Sequence, residues 1–171
     1  STGNIGLQVS GAQRLGGFIT TGQWQHIALV RSNSVSRLYV NGIANTTTYA
    51  DTNDYGSSSQ LTIGTVGDTI GAANFFLNGY ISDLRVSKRA VYANNFIVPT
   101  SPLSGSAANT TLLLNGTNAN IIDQTGAINI VPAGSARIST TTSKFGTGSI
   151  VLDGSTGYLT TGVITYAGGP S

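Results

Sequence analysis

Five consecutive residues, Asp51-Thr52-Asn53-Asp54-Tyr55, put two carboxylates, an amide and an aromatic ring within one short stretch. Oxygen ligands at odd spacing suit Ca²⁺, which takes carboxylate, amide and carbonyl oxygens. An aromatic ring beside polar groups suits the face of a sugar. Asp51, Asn53, Asp54 and Tyr55 are therefore the candidate ligand-binding residues, and Asp51 and Asp54 the candidate Ca²⁺ ligands; no other cofactor is expected. The preferred competing reading is a solvated loop in which Asx side chains cap turns. The other acids, Asp68, Asp83, Asp123 and Asp153, are scattered, and glutamate is absent. Hydrolysis of a glycosidic bond by acid–base chemistry needs two carboxylates held about 5–10 Å apart. No such pair stands out, so no catalytic residue is assigned and the chain is expected not to be an enzyme.

The single histidine, His26, lies in an apolar stretch with no identifiable nucleophile and is expected to be structural rather than a base or metal ligand. Trp24 could stack on a sugar but is expected in the core. Asn45-Thr46-Thr47, Asn109-Thr110-Thr111 and Asn115-Gly116-Thr117 match N-glycosylation acceptors. In so Asn/Thr-rich a chain, chance explains them better.

Length and composition narrow the setting. A chain of 171 residues suffices for one sandwich domain with a real core and is short for two. Gly, Ser, Thr and Asn abound and no long 3.6-period stretch occurs, which reads as β-rich with many loops. Charged residues make up 8%, against about 25% in ordinary soluble domains. The net charge of +2 is spread along the chain, so no nucleic-acid footprint is read and no nucleic-acid partner is expected. Cysteine is absent, which excludes disulfides and thiolate metal sites. No membrane span or leader is visible and methionine is missing, so the chain is expected to be an internal segment or a processed product.

The elements that would position these residues centre on Gly22–Gly42. Gln23–Val30 reads as a central strand with both faces covered, because Ile27-Ala28-Leu29-Val30 is continuously apolar. Arg31–Ser36 reads as a hairpin loop, Arg37–Val40 as the returning strand, and Asn41-Gly42 as a type I′ turn. Ile5–Leu15 alternates as a hairpin arm turning at Ser10-Gly11, broken by Gly16-Gly17. Ile43–Gln60 is expected to be a long polar loop, Leu61–Gly64 a short strand and Thr65–Ala73 another loop.

Trp24, His26, Ile27, Ala28, Leu29, Val30 and Arg31, followed by Leu38, Tyr39, Val40, Asn41 and Gly42, resemble the signature hairpin of the laminin-G-like, concanavalin-A-like lectin/glucanase jelly rolls. Leu77, Gly79, Ile81, Asp83, Leu84, Arg85 and Val86 resemble the closing strand of that superfamily. Lys88–Phe96 resembles its helical turn, with Tyr92 and Phe96 packing on the sheet. Thr111–Leu114, Ile121–Gly126 and Ser143–Leu159 resemble its opening strands, including an Asp153-Gly154 turn in which Gly157 replaces a second acid. The resemblance implies an all-β antiparallel sandwich, a concanavalin-A-like jelly roll, with its halves in permuted order. Residues 1–103 would be the C-terminal half, 104–110 a linker and 111–171 the N-terminal half. Together these form one sandwich, or each is shared with neighbouring repeats or subunits. A window cut across tandem repeats, or strand sharing, is preferred to simple permutation. Val163–Tyr166 is the sole stand-in for the usual middle strand.

The superfamily's glycosidases carry a Glu-x-Asp-x-x-Glu strand, and nothing here matches it. Asp83 is expected to anchor a loop or pair with Arg85 or Arg89. The resemblance, of the type found in phage tail fibres and bacterial surface proteins, implies a non-enzymatic structural or adhesive module of an extracellular or virion-surface fibre. Its expected partners are other copies of itself, neighbouring repeats or subunits, and cell-surface glycans. The alternative is a pure assembly subunit held by strand exchange, with no ligand.

Overall fold

The computed structural model describes residues 1–55, 60–65, 75–106, 108–116 and 120–163, with the side chains of 162 and 163 left aside. Among these residues there are thirteen strands and no helix, and every strand pairing is antiparallel. The fold is all-β, consistent with a concanavalin-A-like sandwich. No helix is long and apolar enough to cross a membrane. The chain forms two compact units that do not follow chain order. Ser1–Asp54 and Arg89–Thr100 belong to the first, and the described parts of Tyr55–Lys88 and Ser101–Ala167 to the second.

In the first unit, β1 (Thr2–Val9) pairs with β2 (Ala12–Thr20) across Ser10-Gly11. Both turn residues have positive φ, 51° and 75°, as a type I′ connection requires. Gly16-Gly17 does not break this hairpin. Strand β2 runs through it and packs against β4 and β5. A Cβ on Gly17 would meet Leu38 Cδ2 and Val40 Cγ2 at 3.3 Å, so the missing side chain permits close approach rather than ending the strand.

The second sheet is β3 (Ile27–Ser32), β4 (Val35–Val40) and β5 (Ile43–Ala50), in that order. The central, doubly covered strand is β4, not β3. Leu38 and Tyr39 point to opposite faces and are 2% and 1% exposed, whereas Leu29 on edge strand β3 is 52% exposed. A continuous apolar run marks a buried strand less reliably than its neighbours do. The loop expected at Arg31–Ser36 shrinks to Asn33-Ser34, both at positive φ. Asn41-Gly42 is the turn expected, with φ of 51° and 81°. Beyond that turn the expectation of a long polar loop is corrected. Ile43–Ala50 is strand β5, whose Thr-rich, half-exposed sequence reads as loop but has good β propensity.

Lys88–Phe96 forms no helical turn, yet its aromatics do pack back. Tyr92 and Phe96 stack at 3.5 Å, and Phe96 lies 5.6 Å from the Tyr39 ring.

The second unit contains β6 (Gln60–Ile63), β7 (Asn78–Ile81), β8 (Asp83–Ser87), β9 (Thr110–Asn115), β10 (Ile130–Ala133), β11 (Arg137–Ser139), β12 (Ser149–Asp153) and β13 (Tyr158–Val163). The expected single closing strand over Phe75–Ser87 is two strands parted at Ser82. The strand orders are β10-β13-β6, β11-β12-β7 and β8-β9. Strands from 60–87 thus pair with strands from 110–163 inside one chain. Ile63, Leu112, Leu114, Ile130, Ile150, Leu152 and Leu159 form the buried core of this unit. Pro132 is tolerated because β10 is an edge strand. Thr65–Ala73 beyond Thr65, and Val163–Tyr166 beyond Val163, lie outside the described residues.

Candidate functional site

Asp51 leaves the end of β5 and turns inward. It is 1% exposed, and its Oδ2 accepts the Ser36 hydroxyl at 2.6 Å. Its Oδ1 accepts the Asn53 side-chain amide at 3.0 Å and the Asn53 backbone N–H at 3.4 Å. Asn53 Nδ2 also donates to the Tyr49 hydroxyl at 3.0 Å. Asp51 therefore ties the start of the loop to β4, as an Asx turn does. Asp54 and Tyr55 are exposed. A Ca²⁺ ion takes six to eight oxygens. Asp51 is buried and engaged on both oxygens, and among the described residues no group of three or more His, Cys, Asp or Glu is placed to hold a metal. With both oxygens already engaged, Asp51 is a poor cation ligand.

His26 packs edge-on against Phe96 at 5.3 Å and Tyr92 at 6.0 Å, a place in an aromatic cluster. Asn41 fastens this strand by accepting the His26 backbone N–H on Oδ1 at 2.9 Å.

Two aspartates in the second unit also organise loops. Asp123, 3% exposed, accepts the backbone N–H groups of Leu113, Thr125, Ala127 and Ile128 and the Thr125 hydroxyl. Burial pushes its carboxyl up, but the Thr125 hydroxyl and the N–H groups of Leu113, Thr125 and Ile128 together hold it below the ordinary carboxylate value. Asp153 accepts the N–H groups of Ser155, Thr156 and Gly157 at 2.9–3.0 Å and both hydroxyls of Ser155 and Thr156. The nearby Ser135 hydroxyl, then the backbone donors of Thr156, Gly157 and Ser155, hold it well below the usual range. Ser135 Oγ approaches without forming a regular hydrogen bond, so the backbone donors carry the effect. Gly157, where the superfamily often has a second acid, brings its N–H to Asp153 Oδ1 at 2.9 Å.

A constellation that local spacing does not reveal lies across β8 and β9. Asp83 and Asn115 are cross-strand partners in the register. Asp83 Oδ1 accepts the Asn115 amide at 3.0 Å and the Leu103 N–H at 3.1 Å, so Asp83 anchors the 101–105 segment rather than pairing with Arg85 or Arg89. Arg85 donates instead to the Ser104 carbonyl at 2.7 Å. Ser104, the first residue of the stretch expected as a linker, is thereby held. Asp83 and Asn115 line a cleft of about 470 Å³ together with Leu103, Gln124, Phe145 and Thr147. Phe145 is positioned by its N–H on Ser82 Oγ at 3.3 Å, and Gln124 by its N–H on the Leu113 carbonyl at 2.8 Å. The signal that could have found this place was the Asp83 position in the second signature, read with the Asn that ends the TLLL strand.

Comparison with known proteins agrees with the architecture. No curated protein and no solved structure matches the chain significantly. A laminin G-like family model, described as the concanavalin A-like lectin/glucanases superfamily, matches residues 3–95. With the signature hairpin in β3 and β4, the second signature in β7 and β8, and an all-β antiparallel structure, the chain belongs to the concanavalin A-like lectin/glucanases superfamily.

Proposed function

We propose that this chain is a non-enzymatic structural and adhesive module of an extracellular or virion-surface fibre, displaying polar loops to host glycans. The observation that carries this reading is the use made of its carboxylates. Asp51, Asp83, Asp123 and Asp153 each accept hydrogen bonds that hold a loop or strand end. Glutamate is absent from the chain, whereas acid–base hydrolysis of a glycosidic bond needs two carboxyl groups about 5–10 Å apart. The low charge and amide-rich loops suit hydrogen-bonded glycan contacts, weak singly and useful when many copies act together. Such a reading needs no Ca²⁺. The test is a glycan array run beside an assay for release of reducing sugar from each bound glycan. Binding without release, unchanged by chelator, is expected; release of sugar would overturn it.

The competing reading is a pure assembly subunit whose strands are exchanged between copies, with no ligand. Light scattering on the purified chain separates the two: a folded monomer supports the adhesive module, and a chain that orders only on polymerising supports assembly.

A further inference from the structure

Three Asn-Gly pairs occur in the chain: Asn41-Gly42, Asn78-Gly79 and Asn115-Gly116. Glycine carries no side chain to shield its amide nitrogen, so that nitrogen can reach the preceding side-chain carbonyl carbon once backbone and amide are free to turn. The fold treats the three pairs differently. Asn41 has both ends of its amide engaged, Oδ1 by the His26 N–H at 2.9 Å and Nδ2 on Gln25 Oε1 at 2.7 Å. Asn115 donates both amide hydrogens, to Asp83 Oδ1 and to the Leu103 carbonyl, each at 3.0 Å. The Gly116 N–H is itself donated to the Ser82 carbonyl at 2.9 Å, and Gly116 is pressed against the backbone of Gly148 and Ser149. Asn78 is exposed, and its side chain makes no hydrogen bond among the described residues. It opens β7, a four-residue strand at the edge of the β11-β12-β7 sheet. Gly79 lies opposite Leu152 in that ladder, so freeing its nitrogen takes only the local opening of a short edge strand.

We propose that Asn78 is a site of spontaneous self-modification, converting to aspartate and isoaspartate through a cyclic imide formed with Gly79. Hydroxide removes the Gly79 N–H proton, and the nitrogen's electron pair forms a bond to Asn78 Cγ. The Cγ–Nδ2 bond breaks, and Nδ2 leaves as ammonia after taking a proton from water, which restores the hydroxide. A second water then opens the imide at either carbonyl, giving aspartate or isoaspartate with no change of oxidation state. The place of Asn78 gives the reaction a structural consequence. Asn78 is the register partner of Asp153, and the Gly154 N–H donates to the Leu77 carbonyl at 3.0 Å, which makes Asn78 and Asp153 a closely spaced pair without mutual backbone bonds. A Cβ on Gly154 would stand 2.7 Å from Asn78 Cβ, so the asparagine lies over the Asp153-Gly154 turn. The product sets a new carboxylate directly opposite the one that holds the 153–157 turn, a destabilising like-charge pair. Isoaspartate also inserts a methylene into the main chain of β7 ahead of Ile81, which packs on the core of the second unit.

The test is incubation of the full chain in mildly alkaline buffer, with peptide mapping by mass spectrometry over time and isoaspartate counted by enzymatic methylation. Conversion at Asn78 should run about tenfold faster than at Asn41, which must first release two side-chain hydrogen bonds, and Asn115 should be the slowest. A parallel incubation in denaturant removes the protection, and there the three pairs should react at similar rates. Asn78→Gln keeps an amide but lengthens the side chain by a methylene, and should abolish conversion in that peptide while leaving the other two unchanged. Conversion led by Asn41 or Asn115 would overturn the proposal, as would a native order that repeats the order in denaturant. Asn78→Asp, the product without the altered backbone, should melt lower than the unmodified chain, the more so at low salt. An unchanged midpoint for that variant would overturn the link to Asp153.

Discussion

The Asp51 corner of the first unit and the Asp83 corner of the second contain the same kinds of group, a carboxylate and an asparagine at strand ends. They differ in what is left over. Asp51 directs one oxygen to Ser36 and the other to Asn53, and both residues lie within the same fold corner. Asp83 directs one oxygen to Asn115 and Leu103, leaving its second oxygen and the Asn115 carbonyl unengaged at a cleft. Density of polar residues along the chain marks a loop anchor in the first corner, whereas the second corner is built from Asp83 and Asn115, 32 residues apart in sequence.

This contrast can be broken by removing carboxylates in order of how many donors each one holds. Asp123→Ala strands four backbone N–H groups and a hydroxyl, and should lower unfolding stability by about 3–4 kcal/mol in denaturant titration. Asp51→Ala removes the partner of buried Ser36 and of Asn53 and should cost about 2–3 kcal/mol. Asp83→Ala, whose side chain is only half-buried, should cost about 1–2 kcal/mol in stability. A flat series across these three would break the link between donors held and stability.

Acid provides a second handle on the same carboxylates. Asp123 and Asp153 both have folded values below the ordinary carboxylate value of 3.8. A lowered folded value contributes stability that is fully present above the unfolded value and is lost as pH falls through it toward the folded one. Thermal unfolding should therefore be level from about pH 8 to pH 5 and fall below about pH 4. Asp123→Asn should flatten that fall as well as lower the plateau. A midpoint that rose on acidification would contradict the hydrogen-bonded, ionised Asp123.

Much of the fold was legible in local patterns, for a physical reason that particular turns make plain. Ser10-Gly11 and Asn41-Gly42 need residues that accept positive φ, and few residue types do, so the sequence there has little freedom. Strand β5 was hidden because Thr and Asn suit a half-exposed strand as well as a loop. The exchange of β3 for β4 as the covered strand arose because coverage depends on sheet order, which an apolar run does not encode. Gly16-Gly17 reads as a break in isolation, and becomes a close approach only when Leu38 and Val40 are placed above it. The candidate site was the least legible part. Asp83 and Asn115 lie 32 residues apart and meet only through the β8–β9 register.

The most direct measurement is a glycan array on the full chain, run beside an assay for release of reducing sugar from each bound glycan. The account expects saturable binding of at least one glycan with no sugar released. Released sugar, or no binding to any glycan, would contradict it.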